Sequence, residues 1–202
     1  MKTTLATLCL AATFAATLAL TACGEAPTPP TQPQVEPDLP PTPAATADPS
    51  LPTELPQLDA DGIDALVAES AANGQITVID FWATWCAPCV AMFPKLHEGL
   101  VALGDKVRPV SITLDAPGKY EQAAIDFLAA HHALKDAYLL APDTDKQSEV
   151  VARIGDTWQD LVVPAVFVYD ASGTLIAEFV GGGQAQPILQ SVRENLLISD
   201  NN

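Results

Sequence analysis

Asp80-Phe81-Trp82-Ala83-Thr84-Trp85-Cys86-Ala87-Pro88-Cys89-Val90-Ala91-Met92-Phe93-Pro94 is the stretch that decides how this chain folds. Just upstream, the apolar run Ile76 to Ile79 contains β-branched Ile, Thr and Val and reads as a buried strand. Downstream, Val90 to Leu103 reads as a helix. The two cysteines therefore fall at a strand-to-helix turn, and Pro88 suits the first helical turn because its missing N–H has no intrahelical partner there. Cys86 precedes the helix proper, where unpaired N–H groups and the positive end of the dipole stabilise a thiolate. This position predicts that Cys86 is the exposed, low-pKa nucleophile. Cys89, one turn in and less accessible, is placed to attack a mixed disulfide at Cys86 and release a reduced substrate.

Outward from this stretch, helix and strand patterns alternate. Ile63, Leu66, Val67 and Ser70 mark an amphipathic helix, capped near Asp59 or Asp61 and ended at Asn73-Gly74. Val110, Ile112 and Leu114 alternate as a strand, and Lys119 to Ala133 reads as a helix with Tyr120, Phe127 and Leu128 on one face. Ala137 to Leu140 fits a short strand and Lys146 to Ile154 a short helix. Pro164 to Tyr169 and Thr174 to Val180 fit a hairpin across Asp170-Ala171-Ser172-Gly173, and Gln186 to Leu197 a closing helix. The expected fold class is α/β, a sandwich around a mixed central sheet flanked by helices. Gly181-Gly182-Gly183 lacks the Lys-Ser/Thr that follows a phosphate loop and reads as a strand exit.

The first 57 residues have another character. Met1-Lys2, the apolar run Leu5 to Leu20 and Leu20-Thr21-Ala22-Cys23 together predict a bacterial lipoprotein signal over residues 1–22, with lipid on Cys23. An ordinary signal peptide or a membrane anchor is the competing reading; each places the rest of the chain outside the cytoplasm. Residues 23–57 hold eleven prolines among Thr, Ala, Gln and acids, a composition that cannot bury a core and reads as an extended, disordered tether. At about 3.1 Å per residue it reaches at most roughly 100 Å. The globular domain is expected over 58–198, and 199–202 as a disordered tail.

Charge and cysteine count narrow the chemistry. Nine basic against 25 acidic residues give −16, or −17 once Lys2 leaves with the signal. That sign disfavours nucleic acid and direct adhesion to anionic lipid. With Cys9 removed and Cys23 lipidated, Cys86 and Cys89 are the only free thiols left. A zinc site needs about four ligands, and His97, His131 and His132 show no ligand spacing to the pair, so no metal is expected. A purely structural disulfide across so short a loop would constrain the unfolded chain little.

Phe81-Trp82-Ala83-Thr84-Trp85-Cys86-Ala87-Pro88-Cys89, with Pro94 five residues beyond and Pro164 ahead of Ala165 to Tyr169, resembles the thioredoxin superfamily, in particular its membrane-anchored TlpA/ResA-like branch. The likeness covers roughly 58–198, and Ala116 to Asp145 matches the helix and strand which that branch inserts. The resemblance implies a thioredoxin-like fold and a membrane-anchored, periplasmic thiol:disulfide oxidoreductase. It would be a reductase of protein disulfides, supplied by a membrane thiol carrier and used, for example, in cytochrome c maturation. An oxidase or isomerase is the alternative, and a redox-inert anchored binding module a more distant one. No metal or organic cofactor is implied beyond the Cys86–Cys89 couple, and a monomer is expected. Gly24 rather than Asp after Cys23 favours the outer over the inner membrane.

The resemblance also assigns roles. Asp80 matches the buried aspartate that relays a proton to and from the second cysteine; burial would raise its pKa toward neutrality. Pro164 matches a cis-proline beside the cysteines, leaving the backbone at Val163 free to pair with an extended peptide. Trp85, Ala87 and Pro88 complete the expected substrate rim, with Trp82 packed beneath and Trp158 a candidate groove residue. Two positions depart from the pattern: Met92 stands where many TlpA-like proteins have Glu, and Ser111 where thioredoxins have Lys.

Overall fold

The strand predicted ahead of the cysteines runs Ile76–Trp82, and all seven of its residues are buried. It lies near the middle of a six-stranded mixed sheet in a computed structural model that describes residues 50–155 and 158–199. In chain order the elements are β1 (Gln57–Leu58), α1 (Ala60–Ala72), β2 (Ile76–Trp82), α2 (Ala87–Val101), β3 (Val107–Thr113) and α3 (Lys119–Ala130). Then follow β4 (Ala137–Leu140), α4 (Thr144–Ile154), β5 (Ala165–Tyr169), β6 (Leu175–Val180) and α5 (Ala185–Ser199). The strand order is β1-β4-β3-β2-β5-β6. Strand β2 pairs in parallel with β3 and antiparallel with β5, so both its edges are satisfied. The signal over 1–22, Cys23, the tether to residue 49 and the tail from 200 lie outside the described residues.

Because side chains alternate across a strand, β2 feeds two cores. Ile79 and Phe81 pack with Ile63, Leu66 and Val67 of α1 and Val150 and Ile154 of α4. Val78 packs on the other face with Met92, Leu96 and Leu100 of α2 and Ile188, Leu189 and Val192 of α5. Trp82 shares that second face, among Phe93 of α2 and Ala124, Ile125 and Leu128 of α3. Helix α1 begins where Asp59 accepts the Gly62 N–H at 3.1 Å, and it ends at Asn73 before Gly74 in the left-handed region. The hairpin turns over Asp170 to Gly173, the Asp170 carboxylate accepting the N–H groups of Ser172 and Thr174 at 2.8 and 3.0 Å.

Three expectations need correction. Tyr120 is exposed; the buried face of α3 is Glu121, Ala124, Ile125 and Leu128, because the true period starts one residue later. Helix α5 continues through Ser199, one residue past the expected end of the domain. The packed chain also begins before residue 58. Leu55 is buried and joins the cluster around Trp82 and the cysteines. Its N–H donates to Glu121 Oε1 at 2.8 Å, the Pro56 carbonyl accepts from Leu139 N at 2.9 Å, and Gln57–Leu58 pair in parallel with β4. Proline lacks a donor but keeps its carbonyl, so a proline-rich strap can still be held from one side.

Glu121 is therefore a latch: one carboxylate oxygen holds the strap and the other accepts the Gly118 N–H at 3.3 Å. Glu121→Ala leaves the Leu55 N–H without its acceptor, a loss on the order of 1–3 kcal/mol. A lower urea midpoint is the expected result; an unchanged midpoint would show that the strap is not held through this carboxylate.

Candidate active site

At the carboxyl end of β2 the chain turns through Ala83, Thr84 and Trp85 and enters α2, for which Cys86 is the N-cap. Cys86 and Cys89 are joined by a disulfide, and the Cys89 N–H donates to Cys86 Sγ at 3.3 Å. The same N–H, with the positive end of α2, would stabilise a thiolate on Cys86 after reduction. Pro88 lies in the first turn, where its missing donor costs nothing.

Cys86 is 5% exposed and Cys89 1%, so the ordering of the two matches their positions but Cys86 is more covered than expected. The ring closure ties its sulfur back onto the helix. Around it Ala87 and Pro88 are exposed, and Trp85 is 63% exposed. Trp82 lies fully buried beneath, 5.2 Å from the Phe93 ring and 5.0 Å from that of Phe127.

Three supports of the turn were not visible in the sequence. Asp115, buried just after β3, accepts the Thr84 N–H at 2.9 Å and hydroxyl at 2.6 Å, and the Thr113 hydroxyl at 2.6 Å. It clamps the residue two before Cys86 from 31 positions away, a contact created by the parallel register of β2 on β3. Second, Gly181, Gly182 and Gly183 all take positive φ. This exit turn borders the site: Gly181 N donates to the Pro164 carbonyl at 2.7 Å, and a Cβ on Gly183 would stand 3.1 Å from Pro88 Cβ. Third, Trp158 is no groove residue. It is buried on Phe81 and Phe167, with ring centroids 4.4 and 5.4 Å away, and its indole N–H donates to the Val162 carbonyl at 2.8 Å.

Trp158 thereby anchors the loop that leads to the Val163–Pro164 bond, which is cis. Val163 packs against the cluster that contains both cysteines. Among the described residues its N–H and C=O have no hydrogen-bond partner, while exposed Val162 adds apolar surface beside it.

Asp80 lies two residues before the end of β2, on the face covered by α2. Its carboxyl is buried, Oδ1 has no hydrogen-bond partner, and burial pushes its pKa up to about 7. In the register of β2 on β3 it stands opposite Ser111, whose hydroxyl accepts the Trp82 indole N–H at 2.7 Å. Where thioredoxins carry Lys, this chain thus has a short hydroxyl turned to a tryptophan, and Asp80 has no cation beside it.

The Redoxin family matches residues 41–193, and the chain belongs to that family. The thiol:disulfide interchange protein HelX of Rhodobacter capsulatus is 30% identical over 139 residues, 69% of this chain and 65% of HelX. A thiol:disulfide interchange protein DsbE homolog of Paracoccus denitrificans is 29% identical over 116 residues, 57% of this chain and 56% of that protein. The chain thus spans between about half and two thirds of the length of these relatives. A crystal structure of a thiol:disulfide interchange protein of the thioredoxin family from Chlorobium tepidum covers 75% of this chain and 99% of its own at a TM-score of 0.50 and 19% identity. That likeness concerns the fold, which is thioredoxin-like.

Asp80 gives a signed pH dependence. Its folded pKa lies above the unfolded value of 3.8, so the folded state holds the extra proton and stability falls as pH rises from about 4 through about 7. The full loss is on the order of 4 kcal/mol, reached above neutrality. Asp80→Asn should remove this decline and be the more stable protein at pH 8, read from urea unfolding at a series of pH values. Parallel stability curves for the two proteins would contradict it.

Proposed function

We propose that this chain is a thiol:disulfide oxidoreductase that reduces protein disulfides outside the cytoplasm through the Cys86–Cys89 couple, without metal or organic cofactor. The observation that carries the reading is the disulfide itself, closed across the first turn of α2 with Cys86 Sγ facing the Cys89 N–H, and preceded on β2 by the buried Asp80 carboxyl, whose Oδ1 has no partner. Cys86 as thiolate attacks a substrate disulfide, one substrate sulfur leaving as thiolate. Cys89 then gives its proton to Asp80 and attacks Cys86 Sγ, which breaks the mixed disulfide and releases the second substrate thiolate. The free backbone at Val163, with Trp85, Ala87, Pro88 and Pro164 around it, is a seat for an extended polypeptide.

Supporting this reading, the relatives HelX and the DsbE homolog are named as thiol:disulfide interchange proteins. The direction of electron flow rests on Ala87-Pro88: no imidazole lies between the cysteines to hold the reduced thiolate, so the dithiol is the better donor. A membrane thiol carrier would restore the dithiol, and cytochrome c maturation is the process this reading favours. Lipid on Cys23 would anchor a monomer to the membrane, the outer one favoured, with the residues from 24 to the packed Leu55 as tether.

The test separates the two sulfurs. Cys86→Ser should abolish insulin reduction, whereas Cys89→Ser should accumulate mixed disulfides with its clients, recovered on non-reducing gels. Retained reduction in Cys86→Ser, or trapping by Cys86→Ser instead, would overturn the assignment. Anchoring is checked apart from this: Cys23→Ser should lose lipid labelling and membrane partitioning, and unchanged partitioning would refute the lipoprotein reading.

A further inference from the structure

The Asp80 carboxyl has no hydrogen-bond partner at Oδ1, yet it is not sealed off. It lines a crevice of about 10 Å³ between α2 and β3, bounded by Ser111 on the strand and His97 on the helix. A space of that size is about that of one water molecule, and the site offers a carboxyl, a hydroxyl and an imidazole as partners. His97 also lines a second cavity, of about 280 Å³, with Gln75, Gly104 and His132 at its edge. Gln75 immediately precedes β2 and Gly104 lies shortly before β3, so this outer cavity is at the end of the sheet away from the disulfide. Along α2, His97 is eight residues beyond Cys89, about 12 Å down the axis. His97 and Pro109 are the two residues common to both cavities.

We propose that His97 is the proton port of Asp80, passing the proton of the resolving step from the buried carboxyl to solvent at the back of the domain. The proposal rests on the reading that Asp80 takes the Cys89 proton. A polypeptide seated on Val163, Trp85 and Pro88 covers the front of the site while the mixed disulfide exists. The proton that Asp80 receives then needs another way out. In balance, the Cys89 proton goes to Asp80, the Cys89 thiolate forms the bond to Cys86 Sγ, and the bond from Cys86 to the substrate sulfur breaks with its electron pair on the substrate. Asp80 passes its proton across the crevice to the imidazole, and the imidazole delivers it to water in the outer cavity. The substrate thiolate takes its own proton from bulk solvent.

His97 is held for this work. Its ring stacks on Phe93 at 5.6 Å and 8°, on the next turn of α2, and it donates to the His132 carbonyl. Burial is the main cause that brings its pKa below the ordinary histidine value, with the His132 carbonyl opposing. Burial also raises the Asp80 pKa, to about 7. Among the described residues His97 is the only other titratable side chain lining the crevice. The titratable and charged groups facing His97 are Glu98 on α2 and His131 at the end of α3, and around the outer cavity Asp105, Arg108, His132, Lys135 and Asp136.

The experiment follows ring closure by rapid mixing of the reduced full chain with a saturating fluorescence-quenched peptide disulfide, from pH 6 to 8. Wild type should close in one phase. His97→Gln, whose amide still reaches the His132 carbonyl, and His97→Ala should each show a second phase, several-fold slower, from molecules whose Asp80 is protonated and cannot empty. Its amplitude should grow as pH falls, since the acid form then predominates, and free imidazole should abolish it. Asp80→Asn should be slow in a single phase that imidazole does not restore. A single wild-type phase in His97→Gln, or a slow phase indifferent to pH and imidazole, overturns the port and leaves the Asp80 reading standing. A wild-type rate in Asp80→Asn overturns the Asp80 reading itself.

Discussion

Burial of β2 on both faces is the constraint from which the rest follows. A strand in the interior of a mixed sheet must present apolar side chains to two layers of helices, and Ile76, Val78, Ile79, Phe81 and Trp82 meet that demand. Satisfied on both edges by β3 and β5, the strand delivers its last residue to one place, the amino terminus of α2. There the unpaired N–H groups of a helix meet a cysteine. The redox pair is thus a consequence of where a rigid strand ends, and the surrounding loops are attached to that point: Thr84 through Asp115, Pro88 against Gly183, and Val162 through Trp158.

The same burial makes Asp80 costly. It replaces an apolar residue in a strand that is otherwise packed, and neither a cation nor a donor meets its Oδ1. A protein core does not retain an unpaired carboxyl for stability, since the neutral isostere would fold better. What the position holds is a buried carboxyl whose pKa burial raises to about 7, with Phe93, Leu96 and Leu100 of α2 lining the crevice beside it.

Much of the fold could be read from local pattern. The β-branched run before the cysteines, the i, i+3, i+4 spacing of Ile63, Leu66 and Val67, and the Asp-Ala-Ser-Gly turn each carry their own short-range signal, and the elements found there begin within a few residues of the expected places. Cys86 and Cys89 were legible because the strand-to-helix junction and the resemblance both point at them, whereas Asp80 was marked by the resemblance alone, and the structure shows it buried in β2. The remaining parts of the site depend on register and long-range packing. Asp115 sits in an ordinary Asp-Ala-Pro-Gly turn until β3 is aligned with β2. Leu55 lies in a segment whose composition argues for solvation, and long-range contacts, among them the one with Glu121 66 residues on, show that it is packed. Trp158 has no periodic context at all, and His97 reads as a helix residue until the crevice between α2 and β3 is seen.

The central claim is that this couple gives electrons to protein disulfides, and the reduction potential of Cys86–Cys89 tests it most directly. The full chain is equilibrated against graded glutathione buffers, quenched by alkylation, and the reduced fraction counted by mass. With Ala87-Pro88 between the cysteines and the helix terminus as the main support of the thiolate, the account predicts a potential nearer about −270 mV than about −120 mV. A value above about −150 mV would contradict it and make the protein an oxidase.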